Sequence, residues 1–123
     1  IINVSSVQGL QSQAGVPVYA ASKGGASSLT RQLAMEYGPR GIRAVTVNPG
    51  TIRTPLVADL LPGGGTDEDW AAAGGVYPLQ GRVGEPSEVG AVCTFLASPA
   101  ASFITGSAIE VDGGIMAKGG WNT

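Results

Sequence analysis

The strongest constraint on this chain is a short β-branched run, a long helical pattern and a second β-branched run, all within its first 48 residues. Ile1-Ile2-Asn3-Val4 is apolar and stops at Ser5-Ser6, which predicts a buried strand ending at a polar edge. From Val18 onward, Val18, Ala21, Gly25, Leu29, Leu33 and Tyr37 recur three or four apart, the period of an amphipathic helix. Gly38-Pro39 then supplies standard helix-stop chemistry. The many small residues between Ala20 and Ala26 would let another backbone approach closely, at some cost in helix propensity. Ile42 to Asn48 predicts the next strand, with Val45 and Val47 on one face and a sharp break at Pro49-Gly50. Strand, helix and strand in this order imply parallel pairing through a right-handed crossover. The expected fold class is therefore α/β, built on an open parallel sheet.

The remainder extends that pattern. Residues 51–84 are Gly-rich and read as irregular, except that Thr66-Asp67-Glu68-Asp69 ahead of Trp70 is a capping box on a short helix. Such an insert is either a lid or a tolerated surface loop. Glu85-Pro86-Ser87-Glu88 opens another helix, with proline in its first turn and acids at the positive end of its dipole. Val89, Val92, Cys93 and Leu96 follow at i, i+3, i+4 and i+7, which makes Cys93 a core residue. Ser107 to Asp112 predicts a third strand, with Ile109 and Val111 on one face and Asp112 serving a turn with Gly113-Gly114. An isolated Trp121 follows in the tail. With no internal repeat and no boundary, residues 1–123 are expected to form a single domain.

Composition narrows the chemistry. Seven Lys and Arg scattered singly, with a net charge of −2, argue against nucleic acid or an anionic membrane as partner. No apolar run approaches the roughly 18 residues of a membrane-spanning helix. The single cysteine excludes an intrachain disulfide framework, so a cytoplasmic setting is expected. The chain contains no histidine, which excludes a Ser-His-Asp triad and the common zinc sites, and no metal is expected. Acid–base chemistry then falls to tyrosine, lysine or carboxylates.

Tyr19 and Lys23 lie at i and i+4 of the predicted long helix, on one face and about 6 Å apart along its axis. A free phenol has a pKa of about 10, and a nearby positive charge favours its ionised form. Ser6 stands thirteen residues before Tyr19. Adjacent strand residues point opposite ways, so only one of Ser5 and Ser6 should face a given site.

Ser6, the thirteen-residue gap and Tyr19-Ala20-Ala21-Ser22-Lys23 resemble the active-site signature of the short-chain dehydrogenases/reductases. Asn48-Pro49-Gly50-Thr51-Ile52-Arg53-Thr54 is similar to the family's Pro-Gly-x-x-x-Thr turn, and Gly81-Arg82-Val83-Gly84-Glu85-Pro86 and Val111-Asp112-Gly113-Gly114 match further landmarks in order. The resemblance implies a Rossmann-like parallel sheet. It implies Tyr19 as general acid/base, Lys23 as the group that depresses the tyrosine's pKa and holds the nicotinamide ribose, and Ser6 as hydrogen-bond partner of the substrate oxygen. Pro49, Gly50, Ile52 and Thr54 would line the nicotinamide end of NAD or NADP, with Tyr19 and Lys23 also contacting the cofactor. Residues 54–80 would form the substrate loop. The substrate would be a small-molecule carbonyl or secondary alcohol, and the assembly a homo-oligomer.

The family's glycine-rich phosphate turn, its Asn-Asn-Ala-Gly stretch and a further catalytic asparagine have no counterpart in this sequence. Gly63-Gly64-Gly65 lacks the strand-turn-helix context of a phosphate loop, and Gly113-Gly114 ends a strand with no helix signal after it. The expectation is thus a partial Rossmann-like sheet, three strands with flanking helices, corresponding to the C-terminal catalytic half. Its start at Ile1, without Met and inside a strand, suggests a piece of something longer. Two other functions stay open: a cofactor-independent esterase using Ser6, Tyr19 and Lys23, and a non-catalytic, self-associating fragment.

Overall fold

β1 (Ile2–Val4), β2 (Val45–Pro49) and β3 (Ala108–Val111) form one parallel sheet in the order β1-β2-β3. In this computed structural model residues 1–119 are described, so Trp121 lies outside the described residues. The register pairs Ile2 with Val45, Val4 with Val47, Val47 with Ile109 and Pro49 with Val111. Paired residues point to the same face, which gives the sheet two chemically different sides. Ile2, Val45, Val47, Ile109 and Val111 pack with Val89, Val92, Cys93 and Leu96 of α4 (Pro86–Ala97). Asn3, Thr46 and Asn48 face α1 (Pro17–Tyr37), where the Asn3 amide donates to Thr30 Oγ1 at 2.8 Å. β2 lies between two strands and between two helices, so Val45, Thr46, Val47 and Asn48 are all buried.

The two crossovers step in the same direction along the sheet, yet their helices cover opposite faces. They therefore have opposite hands, and one departs from the right-handed preference of about 98% of such connections.

The helical period of residues 18–37 is present, but its apolar stripe is not the buried face. Val18 is 82% exposed and Leu29 54%, whereas Ser27, Thr30 and Ala34 are buried against the sheet. Small side chains allow the helix and sheet backbones to approach closely, and hydrogen bonds replace apolar packing between them. α1 begins at Pro17, one residue before the predicted start, because proline fits the first helical position. β2 begins later than expected. Residues 43 and 44 are occupied elsewhere: the Arg43 guanidinium donates to Leu96 O at 2.7 Å and Ile104 O at 3.1 Å, and Ala44 N–H to Thr105 Oγ1 at 3.0 Å.

Residues 51–84 are more ordered than their composition predicts. They hold α2 (Pro55–Ala58), α3 (Asp67–Gly74) and a small second core of Trp70, Tyr77 and Val83, packed with Val57, Ala58, Leu61 and Ile115. The predicted Thr66/Asp69 capping box is present. α4 starts at Pro86, with the Glu88 carboxylate accepting the Glu85 N–H at 2.8 Å. Cys93 packs against the main core. Asp112 accepts from Gly114 N–H at 3.0 Å and Met116 N–H at 2.9 Å, which forms the predicted turn. Among the described residues no helix is long and apolar enough to cross a membrane.

Candidate active site

The strand ends place the candidate residues. β1 ends at Val4, and the two serines that follow diverge as strand alternation requires. Ser5 faces α1: its hydroxyl donates to Lys23 O at 2.7 Å, and its N–H to Val47 O at 2.8 Å. Ser6 turns the other way, into a cavity that Tyr19 also lines. Its Oγ accepts the Gln8 N–H at 3.1 Å, which caps a 3-10 turn at Val7–Gly9 and leaves the hydroxyl proton to donate.

Gly9 sets how close the serine turn comes to the helix. A Cβ there would stand 2.8 Å from the Lys23 carbonyl carbon and 2.9 Å from Gly24 N, so the two backbones are in direct contact. Lys23 lies half-buried, its Nζ 3.3 Å from Val4 O and 5.5 Å from the centre of the Tyr19 ring. Its stem reaches back along the helix, so a cation stands beside the phenol. Tyr19 is 44% exposed, and its hydroxyl bonds to none of the described residues, so it is free to meet a ligand.

β2 delivers the second group. Gly50 N–H donates to Val111 O at 3.0 Å, and a Cβ on Gly50 would come within 3.0 Å of the Tyr77 ring and 3.1 Å of Asp112 Cα. Behind the turn, the Tyr77 hydroxyl accepts the Thr51 N–H at 2.7 Å and donates to Thr51 Oγ1 at 2.6 Å. Ile52 pairs in parallel with Gly84, and its side chain packs on that glycine. Arg53 bonds Glu85 at 3.2 Å and stacks its guanidinium 4.7 Å from the Trp70 ring centre. Thr54 caps α2, its Oγ1 accepting the Val57 N–H at 3.3 Å.

Ser6, Tyr19 and Gly50 thus open on one cavity of about 750 Å³, roofed by α2 and α3. Lys23 joins the group through Tyr19. Pro49 and Thr54 lie outside the cavity lining, and Ile52 lines a second cavity of about 610 Å³ behind the turn. That second cavity holds the Arg82–Glu88 pair, 2.8 and 2.9 Å between guanidinium nitrogens and carboxylate oxygens. The Arg82 hydrogen bonds, followed by the Glu85 N–H, lower the Glu88 carboxyl from 4.5 to about 2. Three contributors escape a reading of the sequence: Tyr77, Gly9 and Arg53. Tyr77 carries no motif signal, because its partner Thr51 is 26 residues away.

These features define an open parallel α/β half-sheet with a hydroxyl-lined cleft at its strand ends, where such sheets place ligands. The chain belongs to the short-chain dehydrogenase/reductase family: a family model described as enoyl-(acyl carrier protein) reductase matches residues 1–116. A cyclohexanol dehydrogenase from Acinetobacter is 40% identical over 118 residues, covering 96% of this chain and 43% of the relative. A cis-4-hydroxycyclohexanecarboxylate dehydrogenase from Sinomonas cyclohexanicum is 43% identical over 117 residues, covering 95% and 45%. Among solved structures, the ligand-free aldohexose dehydrogenase of Thermoplasma acidophilum superposes with a TM-score of 0.91 at 36% identity, covering all of this chain and 50% of the other. A 4-hydroxyisoleucine dehydrogenase mutant complexed with NADH and succinate gives 0.85 at 34%, covering 96% and 47%. The chain spans between about a fifth and a half of the length of the relatives it matches.

Proposed function

We propose that this chain is the catalytic half of an NAD(P)-dependent oxidoreductase that moves hydride to or from a small-molecule carbonyl or secondary alcohol. The observation that carries the reading is the convergence of the Ser6 and Tyr19 hydroxyls and the Gly50 turn on one cavity, with Lys23 beside the phenol. Residues 1–123 act as one domain in this reading, with 54–80 as the substrate loop.

The nicotinamide–ribose portion of the cofactor fits the residues present. Lys23 Nζ makes one long bond, to Val4 O, which leaves donors for ribose hydroxyls. Gly50 presents bare backbone, and the Thr54 hydroxyl accepts its cap bond with its own proton still to donate. Pro49 and the Ile52 backbone complete the turn. The pyrophosphate portion does not fit the glycine stretches. Gly63 and Gly65 N–H groups are both bonded to the Asp69 carboxylate at 3.2 Å, and Gly114 N–H to Asp112. Those donors are not available to a phosphate.

When bound, the nicotinamide supplies or accepts the hydride. Ser6 Oγ donates a hydrogen bond to the substrate oxygen. Tyr19 Oη gives or takes the hydroxyl proton, with Lys23 holding positive charge alongside. The relatives are named dehydrogenases and reductases, and a cofactor-independent hydrolase finds no support among them.

Two assays on the wild type, Tyr19→Phe and Ser6→Ala test the reading: carbonyl-dependent NADH or NADPH consumption, and chromogenic ester hydrolysis without cofactor. The expected result is hydride transfer that falls by about 10²–10⁴-fold in Tyr19→Phe. Ester turnover lost in Ser6→Ala, or hydride transfer unchanged in Tyr19→Phe, overturns it.

A further inference from the structure

We propose that the substrate is an uncharged ketone or secondary alcohol with a predominantly hydrocarbon body, an inference that rests on the hydride-transfer reading and narrows it. The cavity has two unlike walls. On one side stand the Ser6 and Tyr19 hydroxyls, with the amides of the loop after β1. On the other, α2 and the segments around it present Leu56, Val57, Leu60, Leu61 and Val76. Leu56 is 73% exposed, Leu60 77% and Val76 52%, so this wall is hydrocarbon held against water. Covering it with the carbon body of a ligand is favourable, and the cavity's 750 Å³ falls in the range of about 300–1,000 Å³ for small-molecule sites.

No described residue lining the cavity is Asp, Glu, Lys or Arg. The placement of nearby charges explains this. Residues 51–84 contain two cations, Arg53 and Arg82. Arg53 is bound to Glu85 and stacked on Trp70, and Arg82 is held by both oxygens of Glu88. Lys23 lies beyond Tyr19 and outside the cavity lining. Of the segment's four acids, Asp69 is spent on the turn before α3, accepting from Gly63, Gly65 and Thr66, while Asp59, Asp67 and Glu68 are exposed and outside the lining. Of the rim amides, Gln8 Nε2 donates to Gln13 Oε1 at 3.0 Å, while Gln8 Oε1 is a buried acceptor with no partner among the described residues. An ionised substrate group inside this cavity would lose water without gaining a counter-charge, which is costly.

The test is binding, measured without cofactor. The chain is titrated with three cyclohexanones that differ in the 4-substituent, ethyl, carboxylate or ammonium, using ligand-observed NMR or calorimetry at pH 7. The ethyl probe should bind at least about tenfold tighter than either charged one. Leu60→Arg, and independently Val76→Arg on a separate segment, should invert the order between the ethyl and carboxylate probes. Equal or tighter binding of a charged probe by the wild type, binding of none of the three, or an unchanged order in both arginine variants overturns the proposal. The two readings fail separately. A charged-probe preference with Tyr19-dependent hydride transfer removes only the substrate class, whereas a neutral preference with transfer unaffected in Tyr19→Phe removes the reaction and leaves the apolar site.

Discussion

Gly9→Ala tests the contact that sets the site's geometry. The added Cβ would meet the Lys23 carbonyl carbon at 2.8 Å, Gly24 N at 2.9 Å and Lys23 O at 3.0 Å. All three are main-chain atoms in the interior of α1, so no side chain can rotate away. Ordinary contact begins near 3.4 Å, so the loop and the helix must separate by roughly 0.6 Å. The neighbouring Ser5 Oγ–Lys23 O bond, now 2.7 Å, would then pass the ~3.0 Å limit of a good O–H···O bond. Overpacking costs about 1–3 kcal/mol, and a weakened hydrogen bond about 0.5–1.5 more. Reduced freedom of the unfolded chain returns about 0.4–1 kcal/mol. The net expectation is destabilisation by about 0.5–4 kcal/mol. Gly25→Ala is the control: nothing lies within 4 Å of its Cβ, and in a helix interior it should stabilise by about 0.5–1 kcal/mol. Urea denaturation followed by far-ultraviolet circular dichroism reads both. A Gly9→Ala chain as stable as the wild type, beside a stabilised Gly25→Ala, would refute the argument that the backbones touch.

Tyr77→Phe removes the hydroxyl that both accepts from and donates to Thr51, and should cost about 1–3 kcal/mol in denaturant stability. In a double-mutant cycle with Thr51→Val the two losses should fall short of additive, and strict additivity would mean the pair is not coupled. Glu88, held at about 2 against an ordinary 4.5, has a folded value below its unfolded one. Its contribution is present above about pH 4.5 and is lost as pH falls towards about 2, so Glu88→Gln should flatten the acid limb of the stability profile across that window. An acid limb identical in the variant would show that the Arg82 pair does not act on folding.

The parts of this molecule that could be read from the sequence are those set by near neighbours in the chain. The Thr66/Asp69 cap, the Asp112 turn and the i, i+4 placement of Tyr19 and Lys23 each depend on residues within four positions. That Ser5 and Ser6 face different ways likewise follows from the two-residue alternation of a strand. The family resemblance then assembles these pieces into one three-stranded parallel sheet, as observed. What could not be read depends on partners far along the chain. The buried face of α1 is decided by how closely it meets the sheet, and Thr30 bonding Asn3 across 27 residues outweighs the apolar stripe of Val18 and Leu29. The start of β2 is decided by Arg43 reaching carbonyls more than 50 residues away. The Gly-rich stretch 51–84 looked irregular because its core is made of single residues, Trp70, Tyr77 and Val83, at no helical or strand period. The same core joins residues 54–80 to the turn after β2: Tyr77 holds Thr51, Trp70 holds Arg53, and Ile52 between them pairs with Gly84. A change in the loop's packing therefore reaches the turn through both neighbours of Ile52, although no motif connects the two segments.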